Sequence, residues 1–420
     1  MNIRQLAADA IEKILYKGAY VNITINEYFN KFDLTKEEKA LFTILVMGTV
    51  EHKITLAYYL EPYLKKKQKP WVYVILMMST YQIVYMKVEN HYVVNEAVNL
   101  GNIKDRNIGG FINAVLRNLL RHELRDISAD DEIKYLSLKY SYPTWLVSYL
   151  LSYYKFIELE RLFSYNEQNK KCVIRVNTLK ANNEEIEEKL KEENVEYKKH
   201  ELVENGYVCD KPLMNSEMFK EGLITIQDIA SQKVAEVLAP KKGTNVLDMC
   251  AAPGSKTAHL AAIMQNSGTI YACDIYQHKI KLMNNGFKRL GVENVKTQLI
   301  DARKISEIVR KESFDYILLD MPCSGMGVMQ HKVDLKYNLS YQSVEETIKL
   351  QKELIEASYK LLKKGGEIVI STCTINKAEN EENIEEFIKN HKDMKIICEK
   401  QFMPYEYETD GFFICKLVKE

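Results

Sequence analysis

Two cysteines in the second half of the chain are of a type and in positions that suit covalent chemistry. Cys323 lies in LLDMPCSGMG and Cys373 lies in ISTCT, and each thiol comes at the end of a strand-like apolar run. A thiolate adds to electrophilic ring carbons, which is the step a pyrimidine needs before its carbon five can accept a methyl group. The cysteines at 172, 209, 273, 398 and 415 are interpreted as inert small hydrophobic residues.

A turn of small residues upstream of these cysteines predicts a ligand site. The turn follows the strand-like run TNVLDM, opens a helix and consists of Cys250, Ala251, Ala252, Pro253, Gly254, Ser255 and Lys256. Small residues let a ligand approach the backbone closely, and a helix N-terminus adds unpaired N–H groups. The turn matches neither the GxGxxG pattern of dinucleotide-binding proteins nor the GxxxxGKS/T pattern of phosphate loops. The turn therefore disfavours cofactors that contain a pyrophosphate. Because NAD is such a cofactor, the turn also disfavours an NAD-dependent oxidoreductase.

Two aspartates are expected beside this turn. Asp274 ends the run GTIYACDI and Asp301 ends the run NVKTQLID. The carboxyl ends of parallel strands meet at one edge of a sheet, where open α/β proteins bind their ligands. There the two carboxylates are placed to accept hydrogen bonds from ribose hydroxyls and from an adenine amino group. A helix N-cap is the competing interpretation for each aspartate taken alone.

The elements that position these residues are predicted to form a parallel α/β unit. Beyond Pro240, five strand-like runs alternate with segments of helical period, namely TNVLDM, GTIYACDI, NVKTQLID, FDYILLDMP and GEIVISTCT. Such alternation is typical of a doubly wound parallel sheet. The helix before the last run is expected over residues 344–363, with Gly365 as its natural stop.

The first part of the chain is predicted to be helical. Helical patterns follow one another from Ile3 to about Arg125, with interruptions at Asn90 and at the Gly109–Gly110 pair. The uncharged stretch Trp71–Met86 is shorter than the ~20 residues that a membrane-spanning helix needs. We therefore interpret it as a buried core helix.

The length and the net charge of the chain limit its number of domains and the kind of nucleic-acid surface it can have. The 420 residues suffice for two to three domains. Because strand and helix patterns mix from near Ser141 onward, we predict a helical domain over residues 1–130, a small α+β domain over 141–222 and the α/β domain over 223–420. The 58 basic and 58 acidic residues cancel, so any nucleic-acid surface must be a local patch.

Basic clusters in the helical part are the candidates for such a patch. They are the arginines at 117, 121 and 125 and the lysines at 65, 66 and 67, for which a solvated surface is the competing interpretation. The cysteines form no CxxC pair and no zinc-spaced Cys/His quartet, so no metal site is predicted. Reduced thiols and a start without a signal-peptide pattern favour the cytoplasm.

Taken together, the motifs resemble those of the SAM-dependent RNA 5-methylcytosine methyltransferases of the Nol1/Nop2/Sun group. DMCAAPGSKT is similar to their SAM-binding turn, LLDMPCSGMG to their fourth motif, and ISTCT with AENEENIEEF to their sixth motif and the acidic segment after it. RVNTLK and QDIASQ resemble segments ahead of the catalytic domain, and VNEAVNLGN with GFINAVLRNLLR resembles the NusB-like domain of a bacterial branch. The resemblance implies an all-α NusB-like N-terminal domain, a small α+β linker domain and a C-terminal Rossmann-like class I SAM-dependent methyltransferase domain.

The resemblance also implies roles for individual residues. S-adenosyl-L-methionine (SAM) would be held by Cys250 through Lys256, by Asp274 on the ribose, by Asp301 near the adenine and by Asp320. Cys373 would attack carbon six of a cytosine, with Asp320 on the nitrogen edge of the ring and Cys323 helping to release the product. The residues by themselves leave the nucleophile open, because Pro322–Cys323 is similar to the nucleophilic Pro-Cys of DNA cytosine methyltransferases.

The NusB-like head favours 16S ribosomal RNA of the small subunit as the substrate. A tRNA cytosine is an alternative that the catalytic motifs equally allow, and a non-catalytic NusB-like RNA-binding assembly factor is an alternative of another class. We expect a monomer with no membrane or DNA partner.

Two departures from the family's usual pattern concern the turn and a later loop. Ser255 replaces a second glycine of the SAM-binding turn. Gln330, His331, Lys332 and Val333 stand where relatives often carry an Arg-Arg-His-Pro run, in a loop expected to face RNA.

Overall fold

The computed structural model describes residues 2–128, 130–168 and 171–420. The chain divides into two compact units, Met1–Glu167 with Met329–Asn338, and Gln168–Val328 with Leu339–Glu420. A short segment from the second half of the sequence therefore belongs to the first unit. The domain limits given above remain a prediction.

The first unit is helical, as the sequence predicts. Its helices before residue 168 are α1 (Ile3–Lys17), α2 (Val21–Lys31), α3 (Lys36–Glu51), α4 (Lys53–Leu60), α5 (Pro70–Val84), α6 (Asn90–Lys104), α7 (Ile108–Arg121), α8 (Glu132–Tyr140), α9 (Thr144–Leu151) and α10 (Phe156–Asn166). Helix α5 is the predicted core helix, with Val74, Leu76 and Met78 buried. Among the described residues no single helix is long and apolar enough to span a membrane, although α3 and the helical stretch after it pass that test as a pair bent by 73°.

Helices α6 and α7 pack closely because glycines line their contact. The helix break lies at residues 105–107, just before the expected Gly109–Gly110 pair, which lies in the first turn of α7, and Asn90 begins α6. A Cβ atom on the buried Gly101 would lie 2.7 Å from Cδ1 of Ile112, a side chain fully enclosed in the core. Nothing lies within 4 Å of a Cβ added to Gly110. Only one face of this helix pair therefore requires glycine.

The segment Met329–Asn338 is anchored in the first unit by burial and hydrogen bonds. Val333 joins the helical core, and Oδ2 of Asp334 accepts a hydrogen bond from the backbone N–H of Val21 at 3.1 Å. Lys336 is only 4% exposed, and its ammonium donates to the carbonyl of Tyr140 at 3.2 Å. Val333 is therefore a core residue, whereas His331 and Lys332 are exposed, and that this loop faces RNA stays a prediction.

The second unit begins with the predicted α+β part. Its elements are β1 (Cys172–Val176), α11 (Asn183–Glu192), β2 (Tyr197–Lys199), β3 (Gly206–Cys209), α12 (Glu217–Lys220), β4 (Ile224–Ile226) and α13 (Ile229–Leu238). The four strands pair antiparallel in the order β2-β3-β1-β4. Ile174, Tyr207 and Ile224 lie in the core beneath this sheet.

The rest of the second unit is an α/β sheet. Its elements are β5 (Asn245–Asp248), α14 (Ser255–Ile263), β6 (Thr269–Asp274), α15 (Gln277–Leu290), β7 (Val295–Leu299), α16 (Ile305–Ile308), β8 (Phe314–Asp320), α17 (Leu335–Asn338, within the first unit), α18 (Tyr341–Leu361), β9 (Leu362–Thr372), α19 (Glu381–Asn390), β10 (Met394–Phe402), α20 (Pro404–Tyr407) and β11 (Phe412–Lys419). The order is β10-β11-β9-β8-β5-β6-β7. The five predicted strands are parallel. Strand β11, which was not predicted, pairs antiparallel with both β9 and β10.

The helix expected over 344–363 has different ends in the structure. It begins at Tyr341 after a cap by Ser340, and it stops at Leu361 because Leu362 already pairs with Phe314 in the sheet. Gly365, with φ of 73°, lies in the irregular stretch of β9 before pairing resumes at Glu367. Gly365 therefore allows the irregular backbone of this strand and does not end a helix.

Replacing Gly101 by alanine is expected to destabilise the helical unit by about 1–3 kcal/mol, because the added methyl group overpacks against enclosed Ile112. Gly110→Ala is the matched control: it adds the same methyl group to the same helix pair in open space, and should be neutral or stabilise by up to ~1 kcal/mol. Urea-denaturation midpoints of the two variants measure the difference. Equal midpoints would contradict the close contact.

Candidate active site

The predicted residues of the α/β domain meet at the carboxyl edge of its parallel strands. A cavity of about 370 Å³ lies there, and its lining includes Cys250, Ala252, Asp274, Asp301 and Asp320. Strands β5, β6, β7 and β8 are adjacent in the sheet, so their ends bring these residues together. The rest of the turn lies outside the lining, at the start of α14.

The turn after β5 is shaped by one glycine and two backbone hydrogen bonds. Met249 N–H donates to the carbonyl of Leu318 at 3.0 Å, and Ala251 N–H donates to that of Cys273 at 2.9 Å. Gly254 has φ of 99° and caps α14, and a Cβ there would lie 3.0 Å from the Phe287 ring. Ser255 is the first helical residue of α14, so it needs no glycine. The sequence departure at this position is therefore compatible with the turn.

Asp274 and Asp301 each accept a hydrogen bond from a nearby backbone N–H and also line the cavity. Asp274 accepts from Tyr276 N–H at 3.0 Å, and Asp301 accepts from Arg303 N–H at 3.0 Å. The Arg303 guanidinium also donates to Asp301 at 2.6 Å and holds the pKa of that carboxyl below its usual value. Since each carboxylate oxygen has two lone pairs, capping and ligand binding do not exclude one another here.

Asp248 is a buried carboxylate that was not among the predicted site residues. It ends β5 and is 1% exposed, and its Oδ2 accepts from the Thr257 hydroxyl at 2.6 Å. Its Oδ1 is buried and has no hydrogen-bond partner among the described residues. Burial raises the pKa of Asp248 from 3.8 to about 7. Its place at the end of a strand, like that of Asp274, is the signal that could have found it.

Lys256 and Asp320 form an ion pair across the site. Lys256 Nζ lies 2.8 Å from Asp320 Oδ2, with side chains 14% and 25% exposed. The Ser371 hydroxyl donates to the other oxygen, Oδ1, at 2.7 Å. Burial opposes the charge on Lys256, but the Asp320 carboxylate and the nearby Cys373 thiol raise the pKa of the amine.

The two candidate thiols are in contact. Cys323 Sγ and Cys373 Sγ lie 3.3 Å apart, at hydrogen-bond distance for sulfur. The hydrogen bond with Cys373, followed by burial, raises the pKa of the Cys323 thiol well above its ordinary value. Cys323 therefore holds its proton more firmly than an ordinary thiol does.

Glu379 links the loops that carry these thiols. Its side chain is 0% exposed. Oε2 accepts hydrogen bonds from Ser324 N–H at 2.8 Å and from Gln351 Nε2 at 3.0 Å. Oε1 accepts a hydrogen bond from Asn376 Nδ2 at 2.9 Å. Ser324 follows Cys323, and its hydroxyl lies 2.8 Å from that of Thr374, which follows Cys373. The sequence gives no separate signal for Glu379, because it stands in a run of acidic residues that suggests a solvated surface.

Models of three protein families match the chain. The 16S rRNA methyltransferase RsmB/F model matches residues 235–418, the NusB family model matches residues 1–121, and the RsmF/B-like methyltransferase ferredoxin-like domain model matches residues 142–215. These descriptions agree with the helical, α+β and α/β parts of the structure.

Individual relatives are similar over the whole chain. The probable ribosomal RNA small subunit methyltransferase B of Bacillus subtilis is 35% identical, covering 100% of this chain and 99% of the relative. The ribosomal RNA small subunit methyltransferase B of Yersinia enterocolitica is 30% identical with the same coverage. The crystal structure of PH0851 aligns with a TM-score of 0.84 at 28% identity, covering 100% of this chain and 99% of that one. A methyltransferase homologue from Pyrococcus horikoshii aligns with a TM-score of 0.63 at 28% identity, over 70% of this chain and 100% of that one.

We expect Asp248→Asn to remove a pH-dependent component of stability. Because the pKa of Asp248 is higher when folded, its contribution to stability is full below about pH 4 and is lost as the pH rises through about 7. Asparagine keeps an acceptor for Thr257 and does not ionise. The variant should therefore gain stability relative to the wild type between pH 4 and pH 8, as measured by urea midpoints without ligand. A pH-independent difference would show that Asp248 does not titrate there.

Glu379→Gln is expected to destabilise the protein by about 1–3 kcal/mol, because all three of its partners donate hydrogen bonds and an amide replaces one acceptor oxygen by a donor. Glu382→Gln is the control, since it makes the same change on an exposed residue of the same acidic segment. Thermal denaturation compares the two variants. A loss of equal size in both would contradict the proposed link.

Proposed function

Because this chain belongs to the RsmB/F family of 16S rRNA methyltransferases, we propose that it transfers a methyl group from SAM to carbon five of a cytosine in 16S ribosomal RNA, through a covalent bond between Cys373 and carbon six. The observation that carries the proposal is the 3.3 Å contact between Cys323 and Cys373, beside the Lys256–Asp320 ion pair. A nucleophile, a second sulfur able to accept a proton and a carboxylate are the groups that this reaction requires.

SAM is the cofactor of this enzyme family, and the residues at the strand ends fit it. The cavity volume of about 370 Å³ is within the roughly 300–1,000 Å³ typical of small-molecule sites. In our proposal Asp274 binds the ribose hydroxyls and Asp301 the adenine amino group, while Cys250 through Lys256 and Asp320 surround the remainder. When bound, SAM supplies a methyl group on a positively charged sulfur.

The reaction begins at Cys373. Its thiolate attacks carbon six of an unpaired cytosine, a carbon–sulfur bond forms, and the electron pair of the ring double bond moves toward carbon five. The Asp320 carboxylate, held by Lys256 and Ser371, accepts a hydrogen bond from the exocyclic amino group on the nitrogen edge of the ring. Uracil carries a carbonyl oxygen at that position and would meet the carboxylate as a second acceptor. The arrangement therefore favours cytosine.

Cys323 completes the reaction as the base. Hydrogen bonding to Cys373 is the main cause of its raised pKa in the free site. Once Cys373 is bonded to carbon, that negative partner is gone, so the Cys323 thiol passes its proton to solvent water more easily and becomes a thiolate. The Cys323 thiolate then removes the proton from methylated carbon five, the ring double bond re-forms, and the carbon–sulfur bond breaks with its electrons returning to Cys373.

Alanine substitution of each thiol should give opposite results. Cys373→Ala is expected to lose methyl transfer completely and to retain SAM binding, because the residue acts on the base and not on the cofactor. Cys323→Ala is expected to accumulate a covalent protein–RNA adduct, because the release step lacks its base. SAM binding by calorimetry and adducts on denaturing gels provide the measurements. A Cys323→Ala protein that turns over normally without an adduct would exclude that role.

Bisulfite sequencing of small-subunit rRNA incubated with protein and SAM identifies the product. One cytosine protected by the wild type and not by Cys373→Ala would establish substrate, product and nucleophile together. Protection of a tRNA cytosine instead would assign the same chemistry to another RNA. SAM binding with no protected cytosine in rRNA, tRNA or small-subunit assembly intermediates would favour a non-catalytic assembly factor.

A further inference from the structure

A second cavity lies in the helical unit, outside the site described above. It has a volume of about 540 Å³ and lies between the end of α1, helix α4, the start of α5 and the connection that carries the lysine run 65–67. Its lining includes three tyrosines, Tyr16, Tyr58 and Tyr73, and two lysines, Lys66 and Lys67. Nothing in the reaction proposed above uses these residues.

The charge around this cavity is positive and available to a ligand. Lys65, Lys66 and Lys67 are exposed and form no ion pair within the described part of the chain. The acidic lining residue Glu61 is neutralised locally by Arg125, whose Nη1 lies 2.6 Å from Glu61 Oε2. A chain with no net charge thus concentrates uncompensated ammonium groups at one cavity.

The tyrosines give this cavity flat apolar walls. Tyr16 is 46% exposed, so part of its ring is open to solvent. The ring of Tyr58 is held by the Arg125 guanidinium, 4.1 Å from its centroid, and by a hydrogen bond from its hydroxyl to the carbonyl of Asp126 at 2.7 Å. Preformed aromatic walls beside lysines are the combination that binds unpaired nucleotides, with bases stacked on rings and phosphates on ammonium groups.

We propose that this cavity binds a single-stranded segment of the RNA substrate away from the cytosine that is methylated. The inference rests on the RNA substrate proposed above. Charge complementarity favours a polyanion, and the tyrosine walls favour one with exposed bases over an acidic peptide. A duplex fits less well, because its bases are already stacked on one another. The site would raise the affinity for RNA without taking part in methyl transfer.

Fluorescence anisotropy of the full-length protein with a short single-stranded oligoribonucleotide tests the charge component. Lys66→Glu with Lys67→Glu should weaken binding at least tenfold and reduce its salt dependence. The control is Lys31→Glu with Lys36→Glu, which makes the same charge change at two exposed lysines of the same unit that do not line the cavity. If both pairs of substitutions weaken RNA binding equally, the proposal is overturned. It is also overturned if polyglutamate competes for the protein as well as RNA does at equal charge.

Tyrosine variants test the stacking component. Tyr16→Ala should weaken binding about tenfold, whereas Tyr16→Phe, which keeps the ring, should bind like the wild type. Tyr20→Ala, at an exposed tyrosine outside the cavity, is the control. An unchanged affinity in Tyr16→Ala would contradict the site.

Methylation assays separate this inference from the proposed function. If the wild type methylates rRNA, the cavity variants should raise KM for rRNA with little change in kcat. Methylation with an unchanged KM in these variants would overturn the cavity and leave the proposed function intact. A wild type without methyl transfer would overturn the proposed function, while the oligonucleotide experiment would still decide about the cavity.

Discussion

The buried carboxylate of Glu379 is the constraint on which the geometry of the two thiols depends. Removing a carboxylate from water is costly unless its lone pairs are satisfied. Donors from three segments satisfy it here, the backbone of Ser324, the side chain of Gln351 on α18 and the side chain of Asn376 beyond β9. Once these bonds form, the residues after each cysteine are fixed, and the two sulfur atoms lie 3.3 Å apart. Glu379 thus joins the segments that carry the two thiols.

Charged groups at the strand ends also hold the site residues in place. Lys256, at the start of α14, forms an ion pair with Asp320, at the end of β8, through Asp320 Oδ2. The hydroxyl of Ser371 on β9 donates a hydrogen bond to the other oxygen, Oδ1. The ammonium group orients the carboxylate. These contacts surround the sulfur atoms to which we assign separate roles, with Cys373 proposed as the nucleophile and Cys323 as the base.

The antiparallel strand β11 also bears on the site. Gly411, directly before this strand, donates its N–H to the carbonyl of Gly327 at 2.9 Å, and Gly327 N–H donates to the carbonyl of Cys373 at 3.1 Å. A Cβ atom on Gly327 would collide with the backbone of Gly411. The last glycine of the CSGMG segment is therefore required by a close backbone contact with the end of the chain.

The sequence by itself determined the class of each part, the five parallel strands and the residues that stand at their carboxyl ends. These features follow from local patterns, because the period of apolar residues and the small residues of a turn act within a few positions of the chain. Asp274, Asp301 and the turn at Cys250 were found in this way, and Asp320 was indicated by the family resemblance. All of them line one cavity.

Only the tertiary structure decided which distant groups meet. The Cys323–Cys373 contact, the burial of Asp248 and Glu379, the antiparallel strands β10 and β11, and the membership of Met329–Asn338 in the helical unit have no local signature. A glutamate in an acidic run and a loop with two lysines both suggest exposure. Whether such residues are buried depends on donors and apolar surfaces supplied by segments far away in the chain, and packing alone brings those together.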